Sequence, residues 1–493
     1  MNSLIEKNLS NVEKFLSRLN LDEVVPNYIG GEFSTSDSFE SLNFAYSNQK
    51  LFKYSIGDSA DVLKAIDIAE SELKTMKALT SYEKSVILDQ VAKKLEENKR
   101  EIASLLVFET GKTITDALGE VDRSISTLKF TSLEVKQIKG ETLNLDSLKG
   151  SSKRLAFTKV EPLGVVGAIT GFNFPILLGI HKIAPALGAG NTVVLKPSPK
   201  TPISSIVLAK LFEEAGLPKG VLSVINGNEE IGKEIINSDN VRAISFTGSS
   251  HVGKKISEEA KYKKVLLELG SNAATIIDTD KDIESVAKSL VKGGLSTNGQ
   301  SCISVQRIIV NEDYKDELVK ELEKELKKIK VGNPFDENIS VSSLINPEAN
   351  DRILSWINRA KDEGARVIHG GELSDNTLQP TLLSEVSKEM EVFCEEIFGP
   401  VITVTSYKEF EEAIILTNHS NYGLQVGVHT ESLSNSLKAI DEIESGSVHI
   451  NETSNFRPDH MPYGGVKDSG IGKEGPKYVI DELTTKKVVT FKL

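Results

Sequence analysis

Cysteine is scarce in this chain of 493 residues, which has only Cys302 and Cys394. Two cysteines cannot form the disulfide framework of a small secreted domain. The histidines are scattered without the spacing of a zinc site, and Cys394 has no cysteine or histidine at ligand distance in sequence, so we expect no metal. A chain whose thiols are reduced is typical of the cytoplasm, where we predict this protein to act.

Long apolar runs and basic clusters are also missing. No apolar stretch approaches the roughly 18 residues of a membrane-spanning helix, so we expect no transmembrane segment. The formal net charge is −13, and the lysines of residues 320–330 alternate with glutamates, as on a solvent-exposed helix face. These features argue against membrane and nucleic-acid partners.

The length corresponds to about three domains of ordinary size. Apolar side chains near helical spacing predict an amphipathic helical extension over residues 1–25. A short strand and turn over residues 26–33 then begins the body of the protein, and two helices follow. The first helix carries an apolar stripe that ends at Leu73, and the second opens with Thr80 and Glu83 in capping-box spacing.

Short apolar runs separated by helical stretches begin at Gly164. Strands buried on both faces have this texture, so we predict a doubly wound parallel sheet, in which ligands bind beyond the carboxyl ends of the strands. A second α/β unit begins near Ser271. Residues 139–159 and 485–493 have the pattern of strands and are predicted to form a small sheet across a subunit boundary.

Cys302 lies in the stretch GQSCISV, among small and polar neighbours. A structural thiol usually has apolar neighbours, so this setting favours a nucleophile, although a lone cysteine also serves as a small hydrophobic residue. A reactive thiolate needs a base nearby. The other residues of a catalytic site must therefore come from elsewhere in the chain.

Two polar residues at predicted strand ends are candidates to assist Cys302. Asn173 lies at a strand-to-helix corner before Pro175, where its amide could either cap the helix or donate to an oxyanion. Glu268 is the only carboxylate in the apolar run VLLEL. Burial there would raise its pKa and make it a general base, whereas the alternative is a glutamate that faces water.

Further segments are candidates to hold a phosphate or a ribose. They are Lys196, Ser198 and Lys200 after one strand, Gly248, Ser249 and Gly253 at the start of a helix, and Glu396 in the stretch EEIFGP. A lysine and a hydroxyl at a strand end suit these groups, although surface lysines are common. Free amides at a helix N-terminus bind anions, but the glycine spacing differs from the usual dinucleotide fingerprint.

The motifs GFNFP, LKPS, FTGSSHVG, LELG, GQSC, EEIFGP and PYGGVKDSG, in this order, resemble the aldehyde dehydrogenase superfamily from about residue 26 to the end of the chain. The resemblance implies an α/β fold with two Rossmann-like parallel-sheet domains and a small oligomerisation β-sheet, assembled as a homodimer or homotetramer. It places a nucleotide-binding domain at residues 1–138 and 160–269, a catalytic domain at 270–460, and oligomerisation strands at 139–159 and 480–493.

The resemblance also implies roles for individual residues. Cys302 would be the nucleophile, Glu268 the general base, Asn173 an oxyanion donor beside the Cys302 amide, and Lys182 a lysine that supports this centre. The positions around the nicotinamide cofactor would be Thr170, Phe172, Lys196, Ser198, Lys200, Gly248, Ser249, Gly253, Leu269, Glu396 and Phe398. An aldehyde would then be oxidised through a thiohemiacetal and a thioester on the cysteine, followed by hydrolysis to the acid.

The cofactor preference is predicted from the LKPS motif. NAD-preferring relatives often have a glutamate three residues after its lysine, whereas this chain has Pro199 followed by Lys200. The absence of that anion and the presence of a nearby cation both favour NADP, with NAD as the alternative. Gly171 and Ser271 depart from the usual proline and glycine of the family, but neither change removes a chemical group.

The substrate is predicted from motif details that look most like the lactaldehyde dehydrogenase branch. Arg457 could pair with an anionic tail, His181 could hydrogen-bond a hydroxyl, and Ser301 and Ile303 flank the nucleophile. We therefore predict oxidation of a small hydroxylated or anionic aldehyde of the lactaldehyde or glyceraldehyde type. The alternatives are succinate semialdehyde, non-phosphorylating glyceraldehyde-3-phosphate oxidation, and a structural homologue that has lost catalysis.

Overall fold

The computed structural model describes residues 3–21, 23–151, 153–279, 281–374 and 377–493. Its helices are α1 (Ser3–Arg18), α2 (Ser59–Ser71), α3 (Leu73–Ala78), α4 (Ser81–Glu97), α5 (Lys99–Thr110), α6 (Ile114–Val135), α7 (Pro175–Gly188), α8 (Pro202–Glu214), α9 (Glu229–Asn237), α10 (Ser250–Glu259), α11 (Ile283–Leu295), α12 (Glu312–Leu326), α13 (Pro347–Asp362), α14 (Glu391–Cys394), α15 (Phe410–Asn418), α16 (Leu433–Glu442) and α17 (Pro476–Glu482). Within the described ranges, no helix is both long enough and apolar enough to span a bilayer.

The strands before the second sheet are β1 (Val24–Val25), β2 (Asn27–Ile29), β3 (Glu32–Ser34), β4 (Phe39–Phe44), β5 (Gln49–Ser55), β6 (Thr142–Leu143), β7 (Arg154–Pro162), β8 (Val165–Ile169), β9 (Thr192–Lys196), β10 (Leu222–Val224), β11 (Val241–Thr247) and β12 (Lys264–Glu268). The remaining strands are β13 (Ala274–Ile277), β14 (Arg307–Asn311), β15 (Arg366–His369), β16 (Leu373–Ser374), β17 (Thr377–Leu378), β18 (Thr381–Ser384), β19 (Val401–Tyr407), β20 (Tyr422–Gly423), β21 (Gln425–His429), β22 (Ser447–Ile450), β23 (Val466–Lys467), β24 (Gly470–Ile471) and β25 (Thr484–Lys492).

The first large sheet has eight strands in the order β24-β12-β11-β8-β9-β10-β2-β3. Its central strands, from β12 to β10, pair in parallel. Successive residues of β8 enter opposite cores: Val166 and Ala168 pack with helices α4 to α8, whereas Val165 and Ile169 pack with α2 and α9. A strand covered by helices on both faces must be apolar on both, which explains the uninterrupted apolar runs.

The strand order of this sheet reverses beside β8. The chain proceeds outward from β8 through β9 and β10, and then returns to form β11 and β12 on the other side. Thr170 and Gly248 follow the carboxyl ends of β8 and β11, the two strands at this switch point. A crevice outside such strand ends is where doubly wound sheets bind ligands. The predicted parallel sheet and its apolar strands are confirmed.

The second large sheet has seven strands in the order β15-β18-β19-β14-β13-β21-β22. All of its pairs are parallel except that of the edge strand β15 with β18. The predicted second α/β unit is thus confirmed, while its predicted start near Ser271 stays a prediction. Cys302 lies in the connection between α11 and β14.

The predicted small sheet also forms, in the antiparallel order β25-β7-β6. Its boundaries differ slightly from those predicted, because β7 continues to Pro162 and α17 occupies the chain up to Glu482. The short strand β24 pairs with β12 of the first sheet. The C-terminal part of the chain therefore contributes to the first sheet, while the predicted domain limits remain predictions.

The N-terminal extension forms the predicted helix α1. It packs on α5, where the Ser104 hydroxyl donates to Asn8 Oδ1 at 3.3 Å. The capping box of Thr80 and Glu83 at the start of α4 is confirmed. The apolar stripe predicted for helix α2 wrongly included Leu73. This helix ends at Ser71, and Leu73 begins the separate helix α3.

Candidate active site

A tight loop held in left-handed conformations presents Cys302. In the 3₁₀ turn that precedes it, Asn298 has φ 58° and Gly299 has φ 71°. A Cβ atom on Gly299 would lie 2.1 Å from the carbonyl oxygen of Gly399, so only glycine fits there. The buried Asn298 amide donates to the Ser343 carbonyl at 2.8 Å. The thiol is therefore carried by a loop that its own sequence and neighbours fix.

Cys302 opens into a cavity of about 360 Å³ at the carboxyl ends of β8, β11 and β12. Glu268 and Asn173 line the same cavity, so the three residues predicted to perform the chemistry come together. Other predicted site residues in its wall are Phe172, Gly248, Ser249, Leu269, Ser301, Ile303, Glu396, Phe398 and Arg457. Among the described residues, no group of three or more histidines, cysteines or acidic residues could hold a metal ion.

Glu268 is the last residue of β12, and only 4% of its surface is exposed. Its Oε2 atom has no hydrogen-bond partner within the described chain. Burial, followed by the negative charge of Glu474, raises the pKa of Glu268 well above the usual value of a glutamate. A carboxylate with a raised pKa is a stronger base, which suits proton abstraction from water.

A buried ion pair holds Asn173 in place. The Asn173 amide donates to the Gln300 carbonyl at 2.9 Å, beside the Cys302 loop. On its other side, Lys112 Nζ donates to the Asn173 carbonyl oxygen at 2.5 Å and to Glu120 Oε2 at 2.7 Å. The second oxygen of Glu120 accepts from two backbone N–H groups at the start of α7. Glu120 thus neutralises the lysine and caps the helix that follows Asn173.

Replacing Glu120 by glutamine is expected to lower the free energy of unfolding by about 3 kcal/mol, because Lys112 would be left as an unpaired buried charge. The urea midpoint, followed by circular dichroism, measures the loss. The double variant Lys112→Met/Glu120→Gln removes that charge and is expected to recover most of the stability. A single variant with the midpoint of the parent would contradict the assignment.

Glu474, in the cavity wall, binds three basic side chains. Arg457 Nη2 donates to Glu474 Oε2 at 2.9 Å, His181 Nδ1 lies 3.0 Å from the same oxygen, and Lys182 Nζ donates to Oε1 at 3.3 Å. Burial opposes its ionisation, but the charges of Lys182 and His181 hold the pKa of Glu474 well below its usual value. This persistent negative charge is the one that helps raise the pKa of Glu268.

His181 and Lys182 contact Glu474 and are not part of the cavity wall formed by the described residues. For Lys182, this position agrees with the supporting role that the family resemblance implies. For His181, the hydrogen bond to a substrate hydroxyl stays a prediction, and its direct neighbours here are Glu474 and Arg457.

Three arginines, Arg123, Arg352 and Arg457, line the cavity, and only Arg457 was predicted. Arg457 lies over the ring of Tyr463, 3.5 Å from its centroid. Arg123, from the middle of α6, binds Asp459 through Nε at 3.2 Å and Nη2 at 2.7 Å. Nothing local in the sequence marks Arg123, since an arginine on an amphipathic helix is usually solvated. Only the packed structure shows that Arg123 lines the cavity.

Tyr463 is a further site residue that sequence reasoning missed. Its hydroxyl oxygen lies 2.9 Å from Cys302 Sγ. Burial raises the pKa of the Cys302 thiol to about 12, and the hydrogen bond with Tyr463 is the main opposing effect. Tyr463 lies within the motif PYGGVKDSG, which contributed only to the family resemblance predicted from the sequence.

The cofactor-side residues fall into two groups, of which the first lines the cavity. Glu396 accepts from the Ser271 backbone N–H at 2.9 Å, and burial raises the pKa of its carboxyl to about 7. Phe398 packs edge-on against Phe172, with ring centroids 5.7 Å apart. Ser249 caps α10 by accepting from a backbone N–H of its first turn. The Glu396 carboxyl, the two phenylalanine rings and the N-terminus of α10 therefore line the cavity that contains Cys302.

The second group lies farther along the strand ends, outside the cavity wall. Burial lowers the pKa of Lys196, at the end of β9, to about 8. The Ser198 hydroxyl accepts from the Lys200 backbone N–H at 3.2 Å, and Lys200 is exposed. The Thr170 hydroxyl is buried without a hydrogen-bond partner in the described chain. A buried ammonium and an unpartnered hydroxyl beside a helix N-terminus fit the ribose and phosphates of a dinucleotide.

Gly253 completes the predicted set by a packing role. A Cβ atom there would lie 2.4 Å from a methyl group of Leu269, so the glycine lets α10 approach the end of β12. Close approach of this helix brings its N-terminus to the cavity that Leu269 lines. The sequence predicted both residues on the cofactor side, and their contact explains why they occur together.

Fold and site together define an α/β protein with two large, mainly parallel sheets and a cavity that Cys302, Glu268 and Asn173 share. The model of the Aldehyde dehydrogenase family matches residues 33–489, and the chain belongs to that family. The family resemblance predicted from the motifs is thereby confirmed. The protein is thus an enzyme that oxidises an aldehyde with NAD or NADP as acceptor.

Individual relatives cover nearly the whole chain. A 3-sulfolactaldehyde dehydrogenase of Priestia aryabhattai is 42% identical over 468 residues, which cover 94% of this chain and 98% of that protein. A lactaldehyde dehydrogenase of Methanococcus maripaludis is 40% identical over 467 residues, with coverages of 94% and 99%. The solved structure of the glyceraldehyde-3-phosphate dehydrogenase GapN from Methanocaldococcus jannaschii, complexed with NADP, has a TM-score of 0.89 at 38% identity and covers 93% of this chain and all of that one.

Proposed function

We propose that this enzyme oxidises a small hydroxylated aldehyde that carries an anionic group, of the 3-sulfolactaldehyde type, to the carboxylic acid. The observation that carries the proposal is that Arg123 and Arg457 line the same cavity as Cys302. Guanidinium groups bind sulfonate, phosphate and carboxylate through paired N–H donors. The name of the Priestia relative denotes a substrate with both a hydroxyl and a sulfonate, which agrees with such a wall.

The chemistry follows from the residues of the cavity. The Cys302 thiolate adds to the aldehyde carbon, and the carbonyl electrons move onto oxygen, where the Asn173 amide and the Cys302 backbone N–H donate to the oxyanion. The oxidised nicotinamide supplies a hydride acceptor when bound. Loss of hydride from the carbon leaves a thioester. Glu268 then takes a proton from water, whose oxygen attacks the thioester and displaces the thiolate, releasing the acid.

A neutral substrate such as lactaldehyde is the second candidate, and a specific observation favours it. Both guanidinium groups already have carboxylate partners, Arg123 with Asp459 and Arg457 with Glu474. A charge that is compensated by the protein attracts a substrate anion less strongly. The Methanococcus relative is named a lactaldehyde dehydrogenase, which agrees with this alternative.

Arg123→Gln is expected to separate the two candidates. Loss of a charged hydrogen bond to the substrate should lower kcat/KM for 3-sulfolactaldehyde by about 10- to 100-fold, with little effect on lactaldehyde. The rate of cofactor reduction at 340 nm measures both, with glyceraldehyde-3-phosphate and succinate semialdehyde in the same panel. Arg100→Gln is the control, because Arg100 forms an exposed pair with Glu337. Equal losses for charged and neutral aldehydes, or a parent that prefers lactaldehyde, would refute the anionic substrate.

We also propose NADP as the preferred cofactor. Support comes from the exposed Lys200, which follows Pro199 where a ribose-binding glutamate would compete with a phosphate. Lys196, Glu396 and the N-terminus of α10 would hold the dinucleotide. The ratio of kcat/KM with NADP to that with NAD tests the proposal, and a ratio below one contradicts it.

A homo-oligomer is proposed from the small antiparallel sheet. Val488 and Phe491 of β25 and Leu155 of β7 are 60%, 51% and 46% exposed. Contact with a second copy would remove these side chains from water. Light scattering should give a mass of at least two chains, and a monomer would contradict it. A cytoplasmic location stays a prediction that rests on the need to keep Cys302 reduced.

A further inference from the structure

We propose that Tyr463 is a catalytic residue, whose phenol donates a hydrogen bond to the Cys302 thiolate both when the nucleophile forms and when water expels it from the thioester. This inference rests on the proposed role of Cys302 as the nucleophile. It assigns a chemical task to a hydroxyl group that the steps above leave unused.

The contact between the two groups has a defined direction once the thiol is ionised. Tyr463 Oη lies 2.9 Å from Cys302 Sγ. In the neutral pair either group can donate, but a thiolate has no proton, so only the phenol can then donate. The tyrosine is 3% exposed, and a hydrogen bond to a charged group in such a setting is stronger than one in water.

Tyr463 is held in this position by its backbone and its ring. Its N–H donates to the Glu474 carbonyl at 3.0 Å, and the Glu474 N–H donates back to its carbonyl at 2.6 Å. Arg457, paired with the Glu474 side chain, lies 3.5 Å from the centroid of the tyrosine ring. A cation over the ring stabilises negative charge on the phenol, which makes the hydroxyl a better donor.

The charges around the two groups support donation by the phenol. Burial raises the pKa of Tyr463 well above its usual value, so the phenol keeps its proton. The thiol suffers the same penalty from burial, and the negative charges of Glu396 and Glu268 add to it. The phenol and the charge of Arg457 oppose that penalty. Removing the hydroxyl should therefore make the thiolate harder to form.

Packing alone does not account for the tyrosine. Its ring joins Ile303 and Leu424 in a small apolar cluster that Cys302 also contacts. A phenylalanine ring would fill the same space with one polar atom fewer. The Tyr463 hydroxyl is thus a polar group in an apolar cluster, and its hydrogen-bond partner there is the sulfur of Cys302.

The test is the pH dependence of Cys302 alkylation by iodoacetamide in Tyr463→Phe. Both parent and variant carry Cys394→Ala, so that Cys302 is the only thiol. The alkylation pKa is expected to rise by about one pH unit, and kcat/KM at pH 7 to fall about tenfold. Tyr407→Phe is the matched control, because it removes a buried hydroxyl that binds Asp278 at 2.9 Å. It should leave the alkylation pKa unchanged.

A second substitution is expected to lower the alkylation pKa of Cys302. Incorporation of 3-fluorotyrosine at position 463 keeps the hydroxyl and makes it a stronger donor, so the alkylation pKa should fall. The proposal is overturned if Tyr463→Phe titrates with the parent, or if the fluorinated residue raises the alkylation pKa. Alkylation requires no aldehyde, so either result stands apart from the proposed substrate.

Discussion

Cys302→Ala is expected to lower kcat by at least about 10⁴-fold with every aldehyde, while the protein still folds and binds cofactor. In the proposed mechanism, the thiol supplies the bond that holds the substrate through hydride loss. Removing one partly buried sulfur atom leaves the surrounding loop intact, because Asn298 and Gly299 fix it independently. Reduction of NADP at 340 nm measures the loss.

Cys394→Ala is the matched control for this prediction. The Cys394 thiol donates to the Lys388 carbonyl at 2.9 Å at the end of the short helix α14. Its loss should leave kcat within about twofold, since surface changes away from a site have small effects. Substantial turnover by Cys302→Ala, or a comparable loss in Cys394→Ala, would show that the nucleophile has been misassigned.

The three residues at the centre of the site were within reach of the sequence for a topological reason. Parallel strands place their carboxyl ends along one edge of a sheet, so residues after separate apolar runs converge there. Asn173 follows β8 and Glu268 ends β12, two strands separated by β11 alone. Cys302 lies shortly before β14, which pairs in parallel with β13 of the second sheet. Polar residues at strand ends are therefore informative even when they are far apart in the chain.

The residues that the sequence did not reveal act through contacts between distant helices and loops. Lysine and glutamate are common on solvated helix surfaces, yet the side chains of Lys112 and Glu120 are fully buried. Arg123, from α6, lines the cavity, and α6 packs against α7. Tyr463 meets Cys302 across 161 positions of sequence. Pairs of this kind have no periodicity or local motif, so only the packed structure reveals them.

The charges of the site form a connected arrangement. Lys182 and His181 keep Glu474 ionised, and the charge of Glu474 in turn raises the pKa of Glu268. Lys182 therefore acts on the proposed base in two opposite ways, because it keeps Glu474 ionised while its own positive charge lowers the pKa of Glu268. The relation links the lysine implied by the family resemblance to the pH at which Glu268 becomes a base.

Glu268→Gln is expected to lower steady-state kcat by about 10³-fold, because an amide cannot take a proton from the water that hydrolyses the thioester. Formation of the thioester precedes that step. The variant should therefore produce reduced cofactor in a burst equal to the number of active sites, followed by very slow turnover. Mass spectrometry of the quenched protein should find the acyl group on Cys302.

The pH profile of the parent supplies an independent measure of the same residue. A base must be deprotonated to act, and burial raises the pKa of Glu268 well above 4.5. Thioester hydrolysis should consequently accelerate as the pH rises through that raised value, and this limb should disappear in Glu268→Gln. Glu258→Gln, an exposed change on α10, should keep both the limb and the rate. If Glu268→Gln loses the burst together with the turnover, Glu268 acts before the thioester forms, and its proposed place in the reaction is wrong.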